Sequence, residues 1–233
     1  MRGWTMFWAT LVVAIVAIPL GQVAEQAGHP APVSACLARG SGVGESTGDA
    51  SCTADGAGSA AVVVGSGSSA TATGGTGNLA SVFATLSDAI ATSGDHNTAT
   101  VVGDGSAAGA ANGDNNTATV AGDASTALAG IGDGNIATVI GENSTAFAII
   151  GDNNTASVAG EDSTATALNG NDNTATVVGD GSEAIAGNDR IFGPAGNDNT
   201  ATVIGDGSTA SAIVPDGCSV TVVGDGQTEA CDA

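Results

Sequence analysis

From Gly56 onward the chain repeats a unit of 19 residues, and no other feature restricts its fold as tightly. Units open at Gly56, Gly75, Gly94, Gly113, Gly132, Gly151, Gly170, Gly196 and Pro215, and only the seventh departs from this length, through a seven-residue insertion. Each unit splits into two halves, as in 113–121 (Gly-Asp-Asn-Asn-Thr-Ala-Thr-Val-Ala) and 122–131 (Gly-Asp-Ala-Ser-Thr-Ala-Leu-Ala-Gly-Ile). Both halves read as a turn followed by a strand.

Aligned as columns, the repeat separates into constant and variable positions. Position four is Asn78, Asn97, Asn116, Asn135, Asn154, Asn173 and Asn199, with Ser59 and Cys218 in the end units. Position six is alanine from Ala61 to Ala201, and position eight is valine from Val63 to Val222. In the second half, position thirteen is serine from Ser68 to Ser208, and positions fifteen and seventeen are alanine until the last unit. Constant columns two residues apart describe a strand with one face held fixed. We expect that face to point inward, because Asp88 and Glu183 fall in a variable column and an unpaired carboxylate is costly inside. The opposite parity would bury Leu128, Phe147 and Ile185.

The fold class expected is all-β, a two-sheet parallel β-solenoid of about nine coils, preceded by an N-terminal apolar leader. At a strand spacing near 4.8 Å such a stack is roughly 43 Å long. Its interior is a narrow slot of alanine and valine, and the Asn and Ser columns are expected to hydrogen-bond to their copies above and below. Composition agrees: with 4 phenylalanines, 2 tryptophans and no tyrosine in 233 residues, an ordinary deep core cannot be filled. The domain boundaries expected are 1–27 for a signal peptide or membrane anchor, 28–55 for an irregular cap segment, and 56–233 for the solenoid, with the seven-residue insertion falling within 187–195.

The apolar run from Trp4 to Leu20, preceded by Arg2 and closed by Pro19, has the layout of a secretory leader or of an uncleaved anchor. Val33-Ser34-Ala35-Cys36 has the form of an acylation box, set well downstream of that run. The location expected is secreted or cell envelope, with membrane contact only through the N-terminal segment if it stays uncleaved. Four cysteines in an exported chain favour disulfides. Their spacing pairs Cys36 with Cys52 and Cys218 with Cys231. In the last unit Cys218 and Cys231 occupy positions four and seventeen, which face each other across the slot if the two strands of a coil run back along one another.

With 24 acidic against 3 basic side chains the chain has nothing with which to neutralise phosphates, so nucleic acid is not an expected partner. An enzyme is not expected either. The serines and aspartates fall in repeated structural columns, and His29 and His96 are isolated histidines with no partner cysteine or serine.

The Asn-x-Ala-x-Val spacing after a Gly-rich turn, as in Asn116-Thr117-Ala118-Thr119-Val120, resembles the curlin-type repeats of bacterial surface amyloid fibres over most of residues 56–223. The glutamine that closes those repeats has no counterpart here. The likeness implies stacked coils and a structural, surface-attached role. A second resemblance is local: Ala186-Gly187-Asn188-Asp189-Arg190-Ile191-Phe192-Gly193-Pro194-Ala195-Gly196-Asn197-Asp198 is similar to the calcium-binding nonapeptides of repeats-in-toxin proteins. It implies Asp189 and Asp198 as calcium ligands, with Gly187 and Gly196 in the carbonyl-bearing turns. No other cofactor is expected. The stacked turn acids Asp95, Asp114, Asp133 and Asp152, and Asp104, Asp123 and Glu142, either attract cations or solvate the turns and repel edge association. The Thr-x-Thr ranks (Thr98 and Thr100, Thr117 and Thr119, Thr174 and Thr176) are similar to ice-binding solenoids, with an interruption at Ile136.

The remaining outward face carries Ile90, Leu128, Phe147, Ile149, Leu168, Ile185 and Ile213, which suggests lateral self-association. The function expected is therefore a non-enzymatic secreted or cell-surface structural protein acting through self-association or adhesion. A calcium-binding module or an ice-binding solenoid is the alternative.

Overall fold

The computed structural model describes residues 34–188, 196–213 and 216–231. Alternation of small apolar and β-branched residues between Gly-rich turns makes strands that are mostly five residues long and range from two to five. These strands build two sheets of 11 strands each. Within each repeat the first half supplies a strand to one sheet and the second half a strand to the other. Equivalent strands of successive units pair in parallel with every residue opposite its copy, for example Thr117, Ala118, Thr119 and Val120 beside Thr98, Ala99, Thr100 and Val101. The chain is thus the two-sheet parallel β-solenoid that the repeat predicts.

Burial settles the parity. Asn78, Asn97, Asn116, Asn135, Asn154, Asn173 and Asn199 are 0% exposed, as are Val63, Val82, Val101, Val120 and Val139 beside them. The alanines of columns six, fifteen and seventeen complete the slot. Only small side chains fit because the two sheets close directly on one another, so methyl groups meet methyl groups without room for a leucine.

The described part of the cap segment contributes four strands: β1 Ala35–Arg39, β2 Gly42–Val43, β3 Glu45–Thr47 and β4 Ser51–Ala54. They extend both sheets beyond the first repeat strands, β5 Ala60–Val64 and β6 Ser69–Thr73. β4 pairs in parallel with β6. By contrast β1 runs antiparallel to β5, β3 antiparallel to β1, and β2 antiparallel to β4. The parallel stack is therefore capped at its N-terminal end by antiparallel pairings, and the outermost strands, β2 and β3, are only two and three residues long, one of the ways natural sheets blunt an edge.

Both expected disulfides form. Cys36 on β1 is bonded to Cys52 on β4, and Cys218, just before the strand Ser219–Val223, to Cys231, just after the strand Thr228–Ala230. Each bond ties one sheet to the other at one end of the stack. Loops of 16 and 13 residues correspond to about 3 kcal/mol of stabilisation each on the chain-entropy account.

Candidate functional site

The polar columns are bonded in a way that the repeat alone does not reveal. The expected side-chain-to-side-chain ladders are instead ladders from side chain to backbone. Asn116 Oδ1 accepts the Asn135 backbone N–H at 2.9 Å, and Asn116 Nδ2 donates to the Gly132 carbonyl at 2.8 Å. The same two bonds recur at Asn97, Asn135 and Asn154. Serine copies the arrangement at the other turn: Ser125 Oγ accepts the Ser144 N–H and donates to the Gly141 carbonyl. The backbone at positions four and thirteen has left strand geometry, so its N–H finds no carbonyl opposite and a short polar side chain fills the gap.

The turn aspartates run the opposite way. Asp114 Oδ1 accepts the Asp95 N–H, Asp133 Oδ1 the Asp114 N–H and Asp152 Oδ1 the Asp133 N–H, at 2.7 to 2.9 Å. Asn171 and Asn197 continue the column through the same oxygen. On the second edge Asp104 accepts from Thr85, Asp123 from Asp104, and Asp225 from Asp206. Where this column holds Asp or Asn, its side-chain oxygen ties the turn to the coil before it, and the Asn or Ser that follows ties the turn to the coil after it. Backbone N–H donation to Asp95 from Thr76, and to Asp104 from Thr85, holds both carboxyls below the ordinary carboxylate value. The Ser34 hydroxyl does the same at Asp49.

This close stitching explains the glycines that open each half. At Gly113 φ is +153°, and a Cβ there would run into the Gly132 carbonyl oxygen of the next coil. Position three of the same turn is left-handed, and His96 occupies it with φ +58°, as Asn115 does with φ +61°. The histidine is a turn residue.

Asp198 holds that same third position, with φ +57°. The Gly196 carbonyl, which the calcium-repeat likeness would turn toward a cation, accepts Asn173 Nδ2 at 2.7 Å and so continues the asparagine ladder. Gly187 ends the strand Glu183–Gly187. Asp189 lies outside the described residues, as do most of the insertion and the N-terminal leader. Among the described residues no three His, Cys, Asp or Glu side chains converge to hold a metal ion.

The outer faces carry what remains variable. On the second sheet Leu128 lies beside Phe147 and Ile149 beside Leu168, a four-residue patch. Ile185 is set apart from Phe147 by Thr166, and Ile90 from Leu128 by Gly109. The apolar stripe expected there is thus a patch. A longer stripe runs along the first sheet at position nine: Val64, Phe83, Val102, Ala121, Ile140, Ala159, Val178, Ile204 and Val223, apolar in every coil. Beside it position seven presents hydroxyls without a break from Thr100 through Thr119, Thr138, Ser157, Thr176 and Thr202 to Thr221. The unbroken apolar identity of column nine is visible in the aligned repeats beside the threonines of the same face.

No family model, no curated protein and no solved structure matches the chain. What it could do therefore rests on its own geometry.

Proposed function

We propose that the chain is a non-enzymatic structural protein, secreted or held at the cell surface, whose solenoid works through its flat outer faces by self-association or adhesion. One observation carries this reading: the repeated Asn, Ser and Asp side chains are engaged in bonds between coils, so these groups serve the stack and the outer faces are left to meet partners. The two disulfides fit an oxidising compartment. Among the described residues no helix is long and apolar enough to cross a membrane. The likeness to curlin-type repeats supports the coil geometry. Very short, antiparallel-paired strands at one end, and Glu229 in the alanine column at the other, favour a finite rod over end-to-end polymer growth.

Fractionation of the producing cells, followed by electron microscopy, tests the reading. Short rods or their lateral assemblies in the envelope or medium support it; a soluble intracellular monomer overturns it. A second reading, cation binding along the turn edges, is favoured by the in-register exposed carboxylates of Asp95, Asp114, Asp133 and Asp152, each with one oxygen engaged in the ladder. Thermal melting with and without millimolar calcium decides it, and an unmoved melting temperature removes it.

A further inference from the structure

In a chain with 24 acidic residues, the outward columns of the first sheet contain no ionisable side chain from Ala60 to Val223. The second sheet's outer face, in contrast, carries Asp88 and Glu183. Acidity is concentrated on the two turn edges, which border a neutral band. Along one side of that band Val102, Ile140, Val178, Ile204 and Val223 are 46% to 64% exposed, large apolar side chains left in water.

We infer that this band is the interface of a homodimer, two copies laid face to face through their first sheets. The inference rests on the reading of the rod as a protein that acts through its faces, and it names the face and the partner. Nine coils give a length of about 43 Å and five residues a width of about 16 Å, hence about 700 Å² per copy. The total, about 1,400 Å², lies inside the range of about 1,200–2,000 Å² typical of specific interfaces. A two-fold axis along the strand direction sets column nine on column nine and column seven on column seven. Apolar groups then meet apolar groups, and hydroxyls meet hydroxyls. That axis makes the two rods antiparallel.

Charge supports the same arrangement. Arg39, the single basic side chain among the described residues, is exposed at the outer end of β1 beside Ala60. In antiparallel rods it faces the last coil of the other copy, at Ser219 and the turn containing Asp216. The band therefore complements itself at both ends, whereas a basic partner would find its counter-charges only at the edges.

Sedimentation equilibrium on the chain in the form its own cells yield tests the proposal. The wild type dimerises. Ile140→Glu with Val178→Glu raises the dissociation constant on the order of a hundredfold, and the milder triple change Ile140→Thr, Val178→Thr, Ile204→Thr, which keeps β-branched side chains, on the order of tenfold. Leu128→Glu with Phe147→Glu, on the opposite face, leaves it within about twofold. Association that survives both first-sheet variants but is lost in L128E/F147E overturns the assigned face and leaves the self-association reading standing. A wild type that is monomeric at every concentration overturns both. An unchanged constant in Arg39→Glu overturns the antiparallel arrangement.

Discussion

Asn135 sits in the middle of the stack, where its side chain bonds twice to the following coil. Its Oδ1 accepts the Asn154 N–H at 2.9 Å and its Nδ2 donates to the Gly151 carbonyl at 2.8 Å, at a residue that is 0% exposed. Asn135→Ala removes the partners of two backbone groups buried between coils. A buried polar group stripped of its partner costs about 1–3 kcal/mol, so two of them cost about 4 kcal/mol. Asn199 supplies an internal control. Its Oδ1 accepts the Cys218 N–H at 2.8 Å, but its Nδ2 is buried without a partner among the described residues. Asn199→Ala therefore strands one group and relieves another, for a net cost of about 1 kcal/mol. Thr138→Ala, on the exposed outer face, changes stability by less than about 0.5 kcal/mol. Urea denaturation followed by circular dichroism measures all three, with the slope of the transition checked for constancy because stacked repeats can lose cooperativity. Equal costs for Asn135→Ala and Asn199→Ala, or a cost under about 0.5 kcal/mol for Asn135→Ala, would refute the ladder as the source of stability.

Three further outcomes are expected. Acid should weaken the fold in a defined window: the Asp95 and Asp104 carboxyls are lowered in the folded chain by backbone N–H donation, so their contribution is fully present above the ordinary value of 3.8 and is lost as pH falls below it. A melting series from pH 7 to pH 2 in the wild type and in Asp95→Asn with Asp104→Asn checks this. The double variant keeps an oxygen acceptor, as Asn171 does naturally, so its acid limb is shallower; identical limbs contradict the assignment. Cys218→Ser with Cys231→Ser removes about 3 kcal/mol of constraint on a 13-residue loop. Hydrogen exchange should then show Thr228–Ala230 unprotected while Ile136–Ile140 stays protected, and equal protection in both strands counts against the staple. Gly113→Ala, which drives a methyl group into the Gly132 carbonyl oxygen, should lower stability more than Ala121→Gly does on the outer face; calorimetry showing the reverse would contradict the close approach of coils there.

The coil geometry was legible because identical columns carry their own register. Once Asn116, Ala118 and Val120 recur two residues apart in unit after unit, alternation fixes which face is inside, and the pairing of Cys218 with Cys231 follows from their positions in the last unit. The N-terminal strands were not legible in that way. Residues 34–55 do not repeat, and nothing in Ala35–Arg39 announces that it runs antiparallel to Ala60–Val64. The role of the aspartates was hidden for a different reason. A Gly-Asp pair reads as a turn whichever group its carboxylate meets, and only the coordinates show that Asp114 Oδ1 reaches back to the Asp95 N–H. The same limit applies to the asparagines, whose constancy implied a ladder without saying that each rung ends on backbone. Column nine is the opposite case. Val178 and Ile204 were in plain view, but apolar residues in a strand are ordinarily assigned inward, and here the inward places were already taken by Val177 and Val203.

The central claim is that successive repeats lie one above another in register, and distances between spin labels measure this directly. With labels on cysteines replacing Thr100 and Thr176, four coils apart, pulsed electron paramagnetic resonance should give a narrow distribution near 19 Å; moving the second label to Thr221, six coils away, should give one near 29 Å, about 4.8 Å per coil. Broad distributions, or distances that do not increase by that step, would contradict the stack and everything built on it.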